Sequence, residues 1–434
     1  SLVAKRPRIE LPYRPDLINC DTDIEHLATN LRSYSSVRIC AFGPPGTGKT
    51  AWAKHLAKKV RRPLLVKRAS DILDKFVGET EKNIAAIFKE ATTTRSVLML
   101  DEMDSQIDAV GVSTPDHTHY HASMMAMRMG KHLYCEKPMA HSVWEIREMT
   151  NTAKKMKLAT QLGVQRHTLS VMHRSVELIQ AGAIGKVSEV HSWIGGDRGM
   201  PAPAKTGEKI PAHLDWDLWL GPAAERPYSS SYCPYNWRFW WDFGTGETGN
   251  FGCHILDIPF WALGLKYPTR VDGSGPEVDA QRASKSMTTK LEFPDKGVTL
   301  HWYHAKSGPP ILKEKGLSDK GMNTLFIGTK GMLLTGFGKY KLLPEDKFVR
   351  YEAPEKSIPD SPGFYNEWFN AIRGGEPATC DFDYSGPLSE SVLLANTAYR
   401  AGSGFDWDAK TLSTGGNKQA DALIRTEFRK GWEA

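Results

Sequence analysis

Three patterns in the sequence predict an α/β chain. A short apolar run, VRICAF at 37–42, passes through GPPGTGKT at 43–50 into AWAKHLAKKV, which has helical spacing. Between 107 and 165, apolar strand-like runs alternate with helical stretches. From about 187 onward the runs alternate apolar and polar residues singly, as in VSEVHSWI, TTKLEFP, VTLHWYHA and NTLFIG. The first two patterns predict a parallel, three-layer sheet of P-loop/Rossmann-like type. The third predicts an α+β domain with a largely antiparallel sheet.

Length and composition set the frame for these elements. The chain has 434 residues and is 40% hydrophobic and 24% charged, enough for two or three domains with real cores and unlike a disordered chain. No apolar run reaches the roughly 18 residues of a membrane span. The N-terminal SLVAKRPRIELPYRPD lacks the apolar centre of an export signal. Six cysteines lie far apart with no CxxC pair, so reduced thiols and a cytoplasmic location are expected, unless an N-terminal fusion has replaced an original signal. Residues 1–104 carry 18 Lys+Arg against 13 Asp+Glu, and the remainder 38 against 37. No basic run is interleaved with aromatics, so the basic third reads as a solvated face rather than a nucleic-acid surface.

In the first hundred residues, the strand, the G-x-x-x-x-G-K-[ST] loop and the helix form the context of a phosphate-binding turn. Gly43, Gly46 and Gly48 let the backbone curl so that its N–H groups face phosphate, and the helix N-terminus adds partial positive charge. Lys49 would neutralise the β- and γ-phosphates of ATP, and the Thr50 hydroxyl would ligate magnesium. A strand at 63–69 and a helix at 81–91 follow. The run VLMLDE at 97–102 then delivers Asp101 to the magnesium shell and Glu102 to polarise the attacking water.

GPPGTGKT, DKFVGETEKN and VLMLDEMDS make residues 10–104 resemble the AAA family of ATPases. The resemblance implies a pore loop with Phe76 and Val77 gripping substrate. Beyond Asp104 the sensor Asn, arginine finger and helical lid of that family are not found.

IDAVGVS at 107–113 reads as a parallel strand, TPDHTHYHASMMAMRMG as loop and helix, and HLYCEKP at 132–138 as the next strand. SVWEIREMTNTAKKMK is helical and ATQLGVQ is a third strand. Ligands in such sheets bind at the carboxyl ends of strands, where TPDHTH and EKP fall. Seven of the 13 tryptophans lie between 193 and 261, and aromatic faces with a few polar groups suit a sugar-like ligand as well as they suit a core. GTGETG at 244–249 matches G-x-G-x-x-G by letter, but it follows an aromatic turn rather than a first strand and is rejected as a dinucleotide loop. His117, His119 and His121 at i,i+2 spacing do not present three metal ligands together.

STPDHTH, EKP, GNFGCHILD and AIRGGEPATCDFDYSGPLSE occur in an order that resembles the Gfo/Idh/MocA family of glucose–fructose oxidoreductase and inositol dehydrogenase, over residues 106–434. The resemblance implies an NAD- or NADP-dependent dehydrogenase acting on a sugar or cyclitol, commonly as a homo-oligomer. It places Lys137, His254 and Asp257 in catalysis. It places Thr114, Pro115, His119 and Glu136 by the cofactor, and Asn250 and Trp237 by the substrate. The residue types suit the chemistry, since oxidising a secondary alcohol needs a proton acceptor near neutral pH and a cation beside the developing alkoxide. The family usually carries Asp where this chain has Asn250.

The expected organisation is therefore a partial ATPase core at 1–104, a second Rossmann-like half at 105–186, and a substrate and assembly domain at 187–434. The family's opening glycine-rich turn and ribose-binding acid do not precede IDAVGVS, and the phosphate-loop segment stands in that place. IDAVGVS is expected beside VRICAF. The Walker-B strand VLMLDE and the EKP strand then compete for its other side, giving a single sheet with one compromised edge. Three functions follow: a sugar or cyclitol oxidoreductase with activity in question, an ATP-binding module fused to an inactive oxidoreductase-like domain, or a recombined chain without evolved activity.

Overall fold

The computed structural model of the chain describes Thr29, Ile39, Ala41 and residues 48–68, 79–101, 107–306 and 308–432. The strand expected at 37–42 lies outside these residues apart from two isolated positions, as do Gly43, Gly46, Phe76, Val77 and Glu102. Asp101 is described only as strand backbone. Two compact units are distinguished, residues 1–108 and 109–434.

In the first unit, Lys49–Lys59 forms a helix entered through Gly48, whose φ of 90° lies in the left-handed region that favours glycine. Its last turn carries Lys58 and Lys59, which complement the negative end of the helix dipole. Strand β1 (Leu64–Arg68) pairs in parallel with β2 (Val97–Asp101), and the helix Glu79–Thr93 makes the crossover.

The second unit opens with a three-stranded parallel sheet, β3 (Ala109–Val112), β4 (His132–Cys135) and β5 (Thr160–Leu162), in that spatial order. Helices His119–Arg128 and Val143–Met156 connect its strands. The second helix starts with a capping box in which Ser142 and Glu145 satisfy each other's backbone N–H groups.

Among the described residues, β1 pairs with β2 and β3–β5 form a second set of paired strands, while VRICAF, the strand on which the expected single sheet depends, lies outside the described residues apart from two isolated positions. The competition for the far side of β3 is settled in favour of the EKP strand, because β4 pairs with β3 along its whole length. The Walker-B strand keeps its partner β1 instead.

An eight-stranded sheet follows, built from β6 (Val187–Gly195), β7 (Arg270–Ser274), β8 (Met287–Phe293), β9 (Val298–Ala305), β10 (Thr324–Gly328), β11 (Gly331–Thr335), β12 (Tyr340–Leu343) and β13 (Phe405–Asp406). Its order is β12-β11-β10-β6-β9-β8-β7-β13, and only β6–β9 pair in parallel. Strict alternation along β9 buries Leu300 and Trp302 on one face, where the Trp302 indole N–H donates to Thr248 of the helix Gly246–Leu263.

Helix Phe382–Arg400 ties the unit together. It packs on Val143–Met156, on Gly246–Leu263 and on β7, and the Arg147 guanidinium grips Glu390 bidentately at 2.7 Å. One apolar core consequently runs from Val112 to Ile424 across both sheets. Cys135, Cys233, Cys253 and Cys380 are free thiols. No helix among the described residues is long and apolar enough to cross a membrane.

Candidate active site

The site is assembled from the carboxyl ends of β3 and β4 and the first half of helix Gly246–Leu263. Lys137, just past β4, directs two of its three N–H donors to Asn250, at 2.5 Å to the backbone oxygen and 2.8 Å to Oδ1. Burial lowers the Lys137 amine from its ordinary range, with the Asp116 carboxylate opposing that shift. Asn250 in turn donates through Nδ2 to Glu247 Oε2 at 3.2 Å, and buried Glu247 forms an ion pair with Arg198. A chain of contacts thus runs Lys137–Asn250–Glu247–Arg198. A carboxylate stands one residue behind the amine rather than against it.

His254 lies one helical turn beyond Asn250. Its Nδ1 is buried without a hydrogen-bond partner. Burial first, then the charges of Lys137 and Arg166, pushes the imidazole down to about 3, so it is neutral at physiological pH. Phe251 and Ile255, on the same helix, and Arg166 help to wall a cavity of about 510 Å³ whose other side is formed by Trp193, Asn323 and Phe337. The Arg166 guanidinium stacks over Phe337 at 4.1 Å.

Asp257 turns away from His254. It is fully buried, receives the Tyr384 hydroxyl at 2.5 Å and contacts His167 Nδ1 at 2.9 Å. The His167 ring stacks on Trp261 at 3.9 Å. Asp257 therefore pins the 165–168 turn, and with it the neighbouring Arg166, rather than orienting His254.

Thr114 and Pro115 form the β3 exit loop, and His119 braces that loop from beneath. Its Nδ1 lies 2.8 Å from the Pro138 carbonyl and its Nε2 2.8 Å from the Thr114 carbonyl. Two carbonyl partners require both ring nitrogens to donate, which only the imidazolium does. Burial opposes that charge, but Cys135, Asp116 and the Pro138 carbonyl outweigh it and raise His119 to about 10. His119 thereby clamps the β3 exit to the EKP turn. Glu136 accepts from Tyr134 at 2.8 Å and from Gln165 at 2.9 Å. Its carboxylate fills the space a Cβ would need at Gly163, 2.5 Å away.

The remaining assignments fall as follows. Trp237 sits in a buried aromatic cluster with Trp216, Tyr232, Trp240 and Phe243, its ring under the Arg238 guanidinium at 4.2 Å, and it does not line the cavity. In GTGETG, Gly244 presses on the Arg238 backbone, where a Cβ would come within 2.5 Å, so packing accounts for its glycine. His117, His119 and His121 disperse to different backbone carbonyls. Lys49 and Thr50 open the first unit's helix.

Three contributors are not singled out by their sequence. Arg166, in the 165–168 turn, and Arg198 have nothing in the local sequence to mark them. Asp116 sits within STPDHTH, but its contact with the Thr245 hydroxyl at 2.7 Å is made only by the fold. Glu247 was readable, because its i,i+3 spacing from Asn250 puts both on one helix face.

Residues 191–434 match the family described as "Oxidoreductase family, C-terminal alpha/beta domain" of the Gfo/Idh/MocA group. Residues 39–135 match the "ATPase family associated with various cellular activities (AAA)". That second match runs through β3 and β4, which the fold places with the oxidoreductase unit. Both families share parallel β-α-β patterning there, so local sequence alone does not separate them.

Among curated relatives, the peroxisomal ATPase PEX6 of Arabidopsis thaliana is 38% identical over 20% of this chain and 9% of its own length. Protein SAV of Sulfolobus acidocaldarius is 44% identical over 18% of this chain and 10% of its own. An uncharacterized oxidoreductase of Streptococcus pneumoniae is 33% identical over 26% of this chain and 33% of its own. The chain thus spans a third or less of the length of each.

Similar solved folds include the WlbA dehydrogenase from Bordetella pertussis in complex with NADH and UDP-GlcNAcA, with 16% identity, 75% of this chain and 88% of that one covered, and a TM-score of 0.50. The Chromobacterium violaceum WlbA dehydrogenase complex has 17% identity, with 84% and 94% covered, at the same TM-score of 0.50.

Proposed function

The chain belongs to the Gfo/Idh/MocA oxidoreductase family, and from that premise we propose that it oxidises a secondary hydroxyl of a sugar or cyclitol with NAD or NADP. The observation that carries this reading is Lys137, held by Asn250, whose charge reaches a neutral His254 with a buried, unpartnered Nδ1. The WlbA dehydrogenases, described with NADH and a nucleotide sugar, support the choice of cofactor and substrate class.

The residues present fit the nicotinamide end of a dinucleotide. Thr114 and Pro115 at the β3 exit and Glu136 at the β4 exit occupy the strand ends where α/β sheets receive cofactors. The dinucleotide, when bound, supplies the hydride acceptor. The chain's own residues handle the hydroxyl proton. Lys137 retains one N–H donor for the substrate oxygen and stabilises negative charge as it develops there. Neutral His254, its basicity depressed by burial first and then by the charges of Lys137 and Arg166, accepts the proton, a transfer favoured as developing alkoxide charge offsets those cations. His119 and Asp257 act through position, the first holding the loop above β3 and the second holding the turn that carries Arg166.

A second reading rests on a separate observation. Gly48 at φ 90° leads directly into a helix that begins Lys49–Thr50, the geometry a phosphate-binding loop requires at its end, and β2 delivers Asp101 at its carboxyl terminus. ATP with magnesium at this turn is the function it supports. Titrating the full chain with NAD, with NADP and with ATP–Mg distinguishes the readings. Dinucleotide binding with sugar-dependent reduction supports the first. Binding of ATP–Mg alone overturns it in favour of the second, and binding of neither leaves a recombined chain without evolved activity.

A further inference from the structure

We propose that the outer face of the eight-stranded sheet carries a divalent transition-metal site formed by Glu189, His191 and His301. Strands alternate faces, so the side chains of β6 at 189 and 191 project together. The parallel register sets His301 of β9 directly opposite His191. His301 and Trp302 are successive, and Trp302 faces the helix that bears His254, so the three residues lie on the other side of the sheet from the proposed catalytic groups.

The donor atoms converge. Glu189 Oε1 lies 3.1 Å from His191 Nε2 and 3.2 Å from His301 Nε2, and all three ligand atoms fall within 4.8 Å of one another. Bond lengths of about 2.0–2.2 Å around a tetrahedral zinc place neighbouring ligands roughly 3.3 Å apart, close to these separations. The imidazole rings stack nearly parallel, 4.7 Å between centroids, so binding would turn them toward a common point.

The decisive feature is His191. Its side chain is only 5% exposed, and its buried Nε2 faces the Glu189 carboxylate 3.1 Å away as its one polar neighbour among the ion-pair contacts. Its Nδ1 lies 3.0 Å from the Tyr303 hydroxyl. The tautomer with the proton on Nδ1, donated to Tyr303, leaves no N–H unsatisfied and gives Nε2 a free lone pair. That is the arrangement of a metal-ligating histidine with its outer partner in place.

Both imidazoles are held below their ordinary range by burial first, so each is in the neutral form that metals require. The nearby cations are Lys315, whose charge reaches His191, and Lys290, which is paired with Glu292 at 2.7 Å. Glu189 is 39% exposed, which opens the remaining coordination positions to water. Two neutral imidazoles and a carboxylate suit Zn²⁺ or Co²⁺ rather than Mg²⁺ or Ca²⁺.

The test uses the full chain, stripped with chelator and titrated with Co²⁺ followed by absorption, then with Zn²⁺ as competitor. One equivalent of Co²⁺ with visible bands that Zn²⁺ displaces is expected. H301A and E189Q, both at partly exposed positions, should weaken binding at least about tenfold while the metal-free melting curve stays in place. Y303F should weaken it by about ten- to a hundredfold through the outer partner. Failure of the wild-type chain to bind stoichiometrically overturns the proposal, as does binding that persists unchanged in H301A and E189Q.

Discussion

The described residues between 48 and 101 and those between 109 and 432 differ in a way that separates motif from core. In the first region the least exposed apolar side chain is Ala57 at 3%, while Val66 and Phe88 stand 40% and 49% exposed. In the second, Leu133, Met139, Leu300, Trp302 and Leu388 are all at 0%. The most specific short motif in the chain thus lies in the region with the thinner described core. A phosphate-binding turn needs a few successive residues and the start of one helix. A core needs elements far apart in the chain, such as β4, Gly246–Leu263 and Phe382–Arg400, and no short motif records their meeting.

The largest expected effect tests whether chemistry resides with the core. K137A removes the cation placed beside the developing alkoxide and should lower kcat/KM for dinucleotide reduction by about 10²–10³-fold. A K137A enzyme within twofold of the parent would dissociate the site from the well-packed unit and undo the comparison.

Stability should show the same division. Leu300→Ala empties a fully buried position and should cost about 2–5 kcal/mol, seen as a lower melting temperature of the 109–434 unit. Leu56→Ala acts on the helix Lys49–Lys59 and should fall near the bottom of that range, moving only a separate transition of the 1–108 unit. Calorimetry in which both variants shift one common transition would show that the two regions unfold together.

Acid should act selectively on the second unit. His117 and His254 are pushed down to about 3 and His304 to about 4, in each case by burial first. They stay neutral in the folded chain while the unfolded chain protonates near 6.5, so their stability is complete above 6.5 and is lost as pH falls toward 3–4. At pH 5 this amounts to about 2 kcal/mol per residue. His119 has the opposite sign. Raised to about 10, it contributes stability below 6.5 that is lost as pH climbs toward 10, and H119N should flatten that alkaline decline in chemical-denaturation midpoints.

These groups also show what the sequence could and could not convey. Alternation made β6, β8, β9 and β10 legible, and β-α-β spacing made β3, β4 and β5 legible, because both are local periodicities. Pairing was less so. Whether VLMLDE or HLYCEK lies beside IDAVGVS depends on long-range competition, and two parallel-sheet patterns look alike at that range. In the site, Lys137, Asn250 and His254 sit in motifs and do come together. Asp257 shares the His254 helix but rotates toward His167 and Tyr384, because the hydrogen-bond partners that claim it come from residues 90 and 127 positions away. Arg166 and Arg198 are placed entirely by tertiary structure.

The smallest effect expected is that of N250D, and it probes the site most finely. Asn250 accepts from Lys137 through Oδ1 and donates to Glu247 through Nδ2. Aspartate keeps the acceptor, removes the donor and sets a second carboxylate about where Nδ2 now lies, 3.2 Å from Glu247 Oε2. Arg198 already neutralises Glu247, so the fold should tolerate the change. The new charge should instead raise the Lys137 amine from its burial-lowered position. The alkaline limb of the kcat/KM profile should move upward, with less than about tenfold change near pH 7. An unmoved limb would mean that Lys137 does not set it. A loss as deep as that of K137A would mean that the Asn250–Glu247 hydrogen bond, rather than charge, is what holds the lysine in place.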